Sequence, residues 1–381
     1  MAAVDFTHKY VFPAIRGIQA RHEYYVSMCP LRLIPKLFVF DDDEIGPELR
    51  AQRVINKGRL PEIANYILGN RESYTFSALT ASIDSDVTFE PFDEKGQGKN
   101  LGLLHIPMSA RFIINDGQHR RASIEIALKE NPELGDETIA VVFFLDIGLE
   151  RCQQMFADLN RYAIRPTKSI GVLYDHRDAI ARLTKLVVLR SAFFRDLVDK
   201  EHSTLSLRSR KLFTLSAMYN ATLSLLENHE FDSEDEKADL VREFWEEVAK
   251  QFPEWELVRQ GKMLARDVRV DFIHSHGIAL QSIGRIGNIL LADHTDWRKE
   301  LAKLKRIDWT RGNAGLWEGR AMLGGRVSKA TVNIVLTTNV LKKELEIPLA
   351  ENEQRIEDAF LRGENGRATP KTKVSLRRAG I

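Results

Sequence analysis

The hydrophobic pattern of this chain changes period once, and the change divides it. In the first part, apolar residues come in short runs or alternate with polar ones, as strands require. Residues 10–19, 23–28, 37–40, 76–83, 101–107, 111–115 and 137–145 read as strands, with Gly17 and Pro30 as punctuation. Two helical stretches interrupt them. One covers 47–58, with Pro47 suited to a first helical position, and the other covers 60–68. Beyond Gly148 the period is helical. Helices are predicted over 149–159, 175–189, 212–227, 272–292, 297–305 and 329–344, with Ser328 as N-cap of the last. The pattern predicts an α+β protein: a mixed sheet with short helices over 1–147, a larger helical domain over 148–350, and a basic, flexible tail over 351–381.

Between the strand at 111–115 and a helix beginning near Arg121 stands Asp116-Gly117-Gln118-His119-Arg120. Ile124, Ala127 and Leu128 give that helix its apolar face. A strand, one glycine, then polar and cationic residues at a helix start bring backbone N–H groups and positive side chains together, which suits a phosphate or another anion. Gly117, Gln118, His119, Arg120 and Arg121 are the candidate phosphate or nucleotide ligands. The alternative is a structural glycine turn with surface cations.

Composition narrows the class. The 381 residues are 44% apolar, ample for a core, with a net charge of +1 that excludes a uniformly basic coat. No apolar run is long enough to span a membrane, and the N-terminus lacks a secretory pattern. Cys29 and Cys152 are the only cysteines, so a disulfide framework or Cys-based zinc site is not expected and a cytoplasmic setting is. The five tryptophans all lie between 245 and 317 and read as core.

Charge is unevenly placed. Asp41-Asp42-Asp43-Glu44 reads as a solvated loop. Asn160, Arg161, Arg165 and Lys168, with Thr167 and Ser169 as neutral donors, surround Pro166, which makes a rigid turn or helix start of them. Cations and N-cap donors on a fixed turn suit phosphate positioning; a salt-bridged surface turn with Asp158 and Asp175 is the alternative. Arg208, Arg210 and Lys211 form a further basic cluster. Residues 362–381 hold six Lys/Arg against one acid, a mobile phosphate-contacting arm or a solubilising tail. No P-loop, Gly-x-Gly-x-x-Gly, His-Glu-x-x-His or Cys-x-x-Cys is present, and no metal site is expected. His274 and His276 are spaced two apart, a poor metal pair on a helix.

The 116–120 block resembles two families. Its Gly117, His119 and Arg120 resemble the phosphate-gripping box of the ParB/sulfiredoxin superfamily. Gln118 stands where sulfiredoxins carry the nucleophilic Cys, which excludes sulfinic-acid reduction. The whole pentapeptide is the signature of DGQHR-domain proteins. The blocks at 51–57, 78–83, 155–169, 308–309 and 317–322 resemble the DndB family. This resemblance implies a ParB/sulfiredoxin-like N-terminal domain and a DNA-binding negative regulator of an operon for DNA phosphorothioate modification. It also implies duplex promoter DNA as partner, with other DNA-modification proteins or a second copy of the chain as further ones. No cofactor is required in that reading. The runner-up is an NTP-hydrolysing accessory enzyme, in which His119 and Arg120 clamp the triphosphate and Asp116 holds Mg²⁺ or orients water. A nuclease using Asp116 and His119 is weakest, since metal-dependent nucleases need more converging carboxylates.

Overall fold

The computed structural model describes residues 8–38, 57–145, 154–155, 157–159, 166–229, 233–292 and 296–364. The chain forms two compact units, Met1–Ile164 and Arg165–Ile381.

The first unit is built on a seven-stranded sheet, in the order β4-β5-β1-β2-β7-β3-β6. Its strands are β1 (Lys9–Gln19), β2 (His22–Pro30), β3 (Leu79–Asp84), β4 (Thr88–Pro91), β5 (Leu101–Pro107), β6 (Arg111–Asp116) and β7 (Thr138–Leu145). β3 and β7 run parallel; the other neighbours are antiparallel. Alternation decides which face is covered. Phe12, Ala14, Tyr25, Cys29, Leu104, Ile106, Val141 and Phe143 point to one side, where Ile34, Ile67, Ile124 and Ala127 of helices α1 (Ile34–Leu37), α2 (Leu60–Gly69) and α3 (Gln118–Glu130) complete the core.

β3 is buried on both faces. Behind it, Asn115 Nδ2 donates to Ser82 Oγ at 2.7 Å and to Met155 Sδ at 3.1 Å. Residues 154–155 and 157–159 are helical and group with this unit, past the expected boundary at 147/148.

Two expectations change here. Leu37, expected to open a strand, ends a short helix with Pro35 in its first turn, and residues 39–40 lie outside the described residues. β4 was not predicted: its four residues are too few to show a period. The acidic run 41–44 and the helix expected from Pro47 lie outside the described residues, apart from 57–58, which open a 3-10 turn.

The second unit is mainly helical. It contains α4 (Lys168–Tyr174), α5 (Ala179–Arg190), α6 (Leu215–Leu226), α7 (Glu234–Ala249), α8 (Pro253–Arg259), α9 (Ala265–Asp271), α10 (Gly277–Ala292), α11 (Trp297–Leu301), α12 (Ala314–Trp317), α13 (Thr331–Glu344) and α14 (Glu351–Leu361). α10 packs on α6 and α13 at the centre. All five tryptophans are buried, as their clustering predicts.

Local hydrogen bonding explains where the boundaries differ from expectation. The helix expected at 175–189 starts at Ala179, because the Asp178 carboxylate caps the N–H groups of Ile180 and Ala181. The helix expected from 272 starts at Gly277. Phe272 instead bridges Thr310, and the Ile273 N–H donates to the Trp309 carbonyl. Ser328 is not the N-cap of α13. Ala330 holds that position, and Ser328 Oγ accepts from its N–H and donates to Asn333.

The expected tail begins as α14. Its Glu357 is fully buried and receives Arg320 in bidentate contact at 2.7 and 2.8 Å. Residues 365–381 lie outside the described residues. Among the described residues no helix is long and apolar enough to cross a membrane.

Candidate functional site

β6 ends at Asp116 and α3 starts at Gln118, so the whole change of direction falls on Gly117, at φ +107°. A Cβ there would lie 2.4 Å from Leu79 Cδ2 and 2.9 Å from Arg120 Nη2. Both the backbone conformation and the space therefore require glycine. No side chain caps α3, which leaves its N-terminal dipole uncompensated by a capping group.

Arg120 reaches back from the first turn. Its Nη1 donates to Ser77 Oγ at 2.7 Å, and its Nη2 to the Ala78 carbonyl at 3.1 Å and to Asp116 Oδ2 at 2.7 Å. Its Nε is buried without a partner. The guanidinium thereby ties the helix start to the segment leading into β3. It also forms one wall of a cleft of about 350 Å³, with Glu62, Tyr66, Thr75, Phe76 and Ser77. The rings of Tyr66 and Phe76 are tilted at 34° with centroids 6.1 Å apart, and the Thr75 N–H donates to Tyr66 Oη. An arginine, a hydroxyl and two aromatic rings around one opening can receive a planar group bearing a phosphate or carboxylate.

The other motif residues do not line this cleft. Gln118 is buried, and its Nε2 donates to the Ile114 carbonyl at 3.3 Å. Arg121 is buried too, pairing with Glu125 at 2.6 Å and donating to the Pro35 carbonyl at 3.0 Å. It fastens α1 to α3. His119 is half-buried. Of the predicted ligands only Arg120 lines the cleft.

The second unit carries the described basic residues of the other predicted set. Lys168 is exposed at the start of α4, capped by Thr167, whose Oγ1 accepts the Ile170 N–H and donates to the Glu201 carbonyl. Ser169 Oγ donates to the His202 carbonyl at 2.7 Å. This helix start is therefore docked on the loop that runs on through Arg208, Arg210 and Lys211.

Arg269 anchors the part of that loop at 206–211 through its backbone. The buried Arg269 donates to the carbonyls of Ser206 at 2.8 Å, Ser209 at 3.2 Å and Lys211. No carboxylate among the described residues pairs with it. Lys211 Nζ is taken by the Asp196 carbonyl at 2.6 Å, whereas Arg208 and Arg210 are exposed and form no ion pair among the described residues. Asn160, Arg161 and Arg165 lie outside the described residues.

His274 and His276 are both enclosed. His274 Nδ1 accepts from Trp255 Nε1 at 2.9 Å, and His276 Nε2 donates to the Arg269 carbonyl at 2.8 Å. Burial lowers the pKa of both imidazoles, that of His276 to about 4. Among the described residues no group of three His, Cys, Asp or Glu side chains could hold a metal ion.

Sequence reasoning missed Arg269 and the cleft wall. Ser77, Tyr66 and Phe76 meet Arg120 only in the folded unit, and Arg269 has the sequence context of an ordinary surface cation.

No curated protein and no solved structure matches the chain. Residues 12–348 match DndB, described as DNA-sulfur modification-associated. That span takes in the Gly117 turn, the Pro166 block and the loop held by Arg269. The chain therefore belongs to the DndB family of DNA-sulfur modification-associated proteins.

Proposed function

We propose that the chain is a DNA-binding transcriptional repressor of the operon for a DNA sulfur modification system, acting in the cytoplasm on duplex promoter DNA. The observation that carries this reading is the loop at 206–211. Its backbone carbonyls converge on the buried Arg269, while Arg208 and Arg210 stand exposed with no ion pair among the described residues. A loop fixed through its backbone presents its cations from a constant origin, which is how phosphate contacts set the register of a protein on a duplex. Lys168, whose neighbour Ser169 docks on the His202 carbonyl ahead of this loop, adds a third cation. Asn160, Arg161 and Arg165 complete the set in this reading.

The Gly117 turn is the second anion site, with Arg120 and His119 receiving a phosphate of DNA or of a nucleotide. The deciding measurement is a mobility shift on the operon's own promoter against a random duplex of equal length, with and without nucleotide and Mg²⁺. A promoter-specific shift without nucleotide is expected. Phosphate release from the nucleotide, with no preference between the duplexes, would replace repression by NTP hydrolysis.

A further inference from the structure

α9 does more than anchor the loop at 206–211. On its C-terminal side it is joined to a small hairpin, Met322–Leu323 paired with Arg326–Val327. Gly324 and Gly325 turn the hairpin at φ +57° and +72°, both left-handed, as a two-residue turn requires. The join is made by Arg311. Its Nη1 donates to the Val270 carbonyl of α9 at 3.2 Å, and its Nη2 to the Gly325 carbonyl at the hairpin tip at 2.7 Å. The Arg311 N–H donates to the Asp271 carbonyl at 2.8 Å. Glu318 closes the other side, accepting the Gly324 N–H at 2.5 Å and the Gly325 N–H at 3.2 Å. Loop, helix and hairpin are thus one connected body with two arginines as its fasteners, Arg269 and Arg311.

The charges on this body differ from those on the helices around it. Arg182, Arg190, Arg242, Arg259 and Arg298 are each paired with a carboxylate. Arg208, Arg210, Arg266, Arg326 and Lys329 are exposed and form no ion pair among the described residues. The acids nearby offset them only in part. Glu318, which accepts from the hairpin amides, and Asp308, which accepts from Thr310 and Asn313, keep their charge, as do Asp267 and Asp271, and these four stand against the five exposed cations together with Arg269 and Arg311. Exposed cations without internal partners are available to an external polyanion, and a fixed body holds them at constant separation.

We propose that the hairpin at 322–327 is a second phosphate-contact element, a wing that grips the backbone of duplex DNA alongside the loop at 206–211, with Arg311 as its positioning residue. The inference rests on the DNA-binding reading above and adds to it Arg326, Lys329 and the role of Arg311.

The test is the anisotropy of a labelled promoter duplex titrated with the full chain across a series of salt concentrations. Each lost phosphate contact should lower the slope of log K against log salt by about 0.9, so Arg326→Ala with Lys329→Ala should lower it by about 1.8. Arg311→Gln should lose the same part of the slope with Arg326 and Lys329 still present. Its thermal melt reports whether the unit remains folded, and Arg311→Lys should restore part of the slope. If Arg208→Ala with Arg210→Ala shallows the slope while the hairpin pair leaves it unchanged, the wing is refuted and the DNA-binding reading stands. If the wild-type chain binds no duplex, both fall. Tighter binding to an RNA duplex than to DNA also overturns the proposal.

Discussion

Arg120 Nη2 lies 2.7 Å from Asp116 Oδ2, across the Gly117 turn and four residues along the chain. The cation best placed to receive an anion is therefore partnered before any anion arrives. An incoming phosphate must displace that carboxylate or share the guanidinium with it. Arg120→Ala removes a charge-assisted bond of about 1.5–3 kcal/mol and should weaken phosphate binding roughly tenfold or more. Asp116→Asn should strengthen it, because the competing charge is gone while Arg120 keeps Ser77 and the Ala78 carbonyl. Titration of both variants with promoter duplex and with nucleotide decides the matter. Weakening by Asp116→Asn comparable to Arg120→Ala would mean that the carboxylate serves the ligand.

Gly117 should tolerate no side chain. Gly117→Ala pays for a left-handed backbone, about 1–2 kcal/mol, and drives a Cβ against Leu79, which is fully buried and cannot retreat. Overpacking of that kind costs about 1–3 kcal/mol more. Gly171, inside α4 with no atom near its missing Cβ and no positive φ, is the control. Gly171→Ala should hold or raise the melting temperature, by about 1 kcal/mol in helix propensity, while Gly117→Ala lowers it. Equal melting behaviour of the two variants would remove the special role of Gly117.

The two cationic sites were legible to different depths. The strand, the glycine and the helix around 116–120 follow from an apolar run, a residue free to adopt positive φ, and a 3.6-residue period. The pairing of Asp116 with Arg120 does not follow from their spacing, because Asp116 ends the strand and lies outside the helix, and the Gly117 turn is what brings the two together. The burial of Arg121 was also legible. The residue lies three and seven residues before Ile124 and Leu128 on the helix, hence on the apolar face, and it is indeed buried against Glu125 and Pro35. Ser77, more than forty residues from Arg120, carries no local signal at all. Arg269 is hidden for a related reason: its partners are backbone carbonyls, and any residue type supplies those.

No thiol chemistry is expected at Cys29. It is fully buried on β2, and burial pushes its thiol up to about 12, although Ser27 acts in the opposite direction. A thiol with so little thiolate at neutral pH is a poor nucleophile and a poor sulfur carrier. Iodoacetamide at pH 8 should leave Cys29 unmodified in the native chain and modify it in urea, and Cys29→Ala should bind promoter DNA like the wild type. Rapid native labelling at Cys29, or loss of DNA binding by a folded Cys29→Ala variant, would bring a sulfur-handling role back into play.

Glu357 should make the second unit sensitive to acid. Burial raises its pKa, and the hydrogen bonds from Arg320, Lys343 and Asn339 outweigh that effect, leaving it at about 2. Arg320 is held in place further by Phe360, whose ring lies 4.4 Å below its guanidinium. With a folded pKa below the ordinary 4.5, the carboxylate contributes its full stability above pH 4.5, and the contribution is lost as pH falls through 2. Glu357→Gln leaves Arg320 buried without its counter-charge and should cost about 3–5 kcal/mol at pH 7. The gap between variant and wild type in urea melts should narrow at pH 3. A chain ending at residue 350 lacks α14 altogether and should melt near the Gln variant, whereas one ending at 364 keeps the clamp and should melt like the wild type. If the two truncations melt alike, α14 does not stabilise the unit, and the Arg320–Glu357 pair contributes little to it.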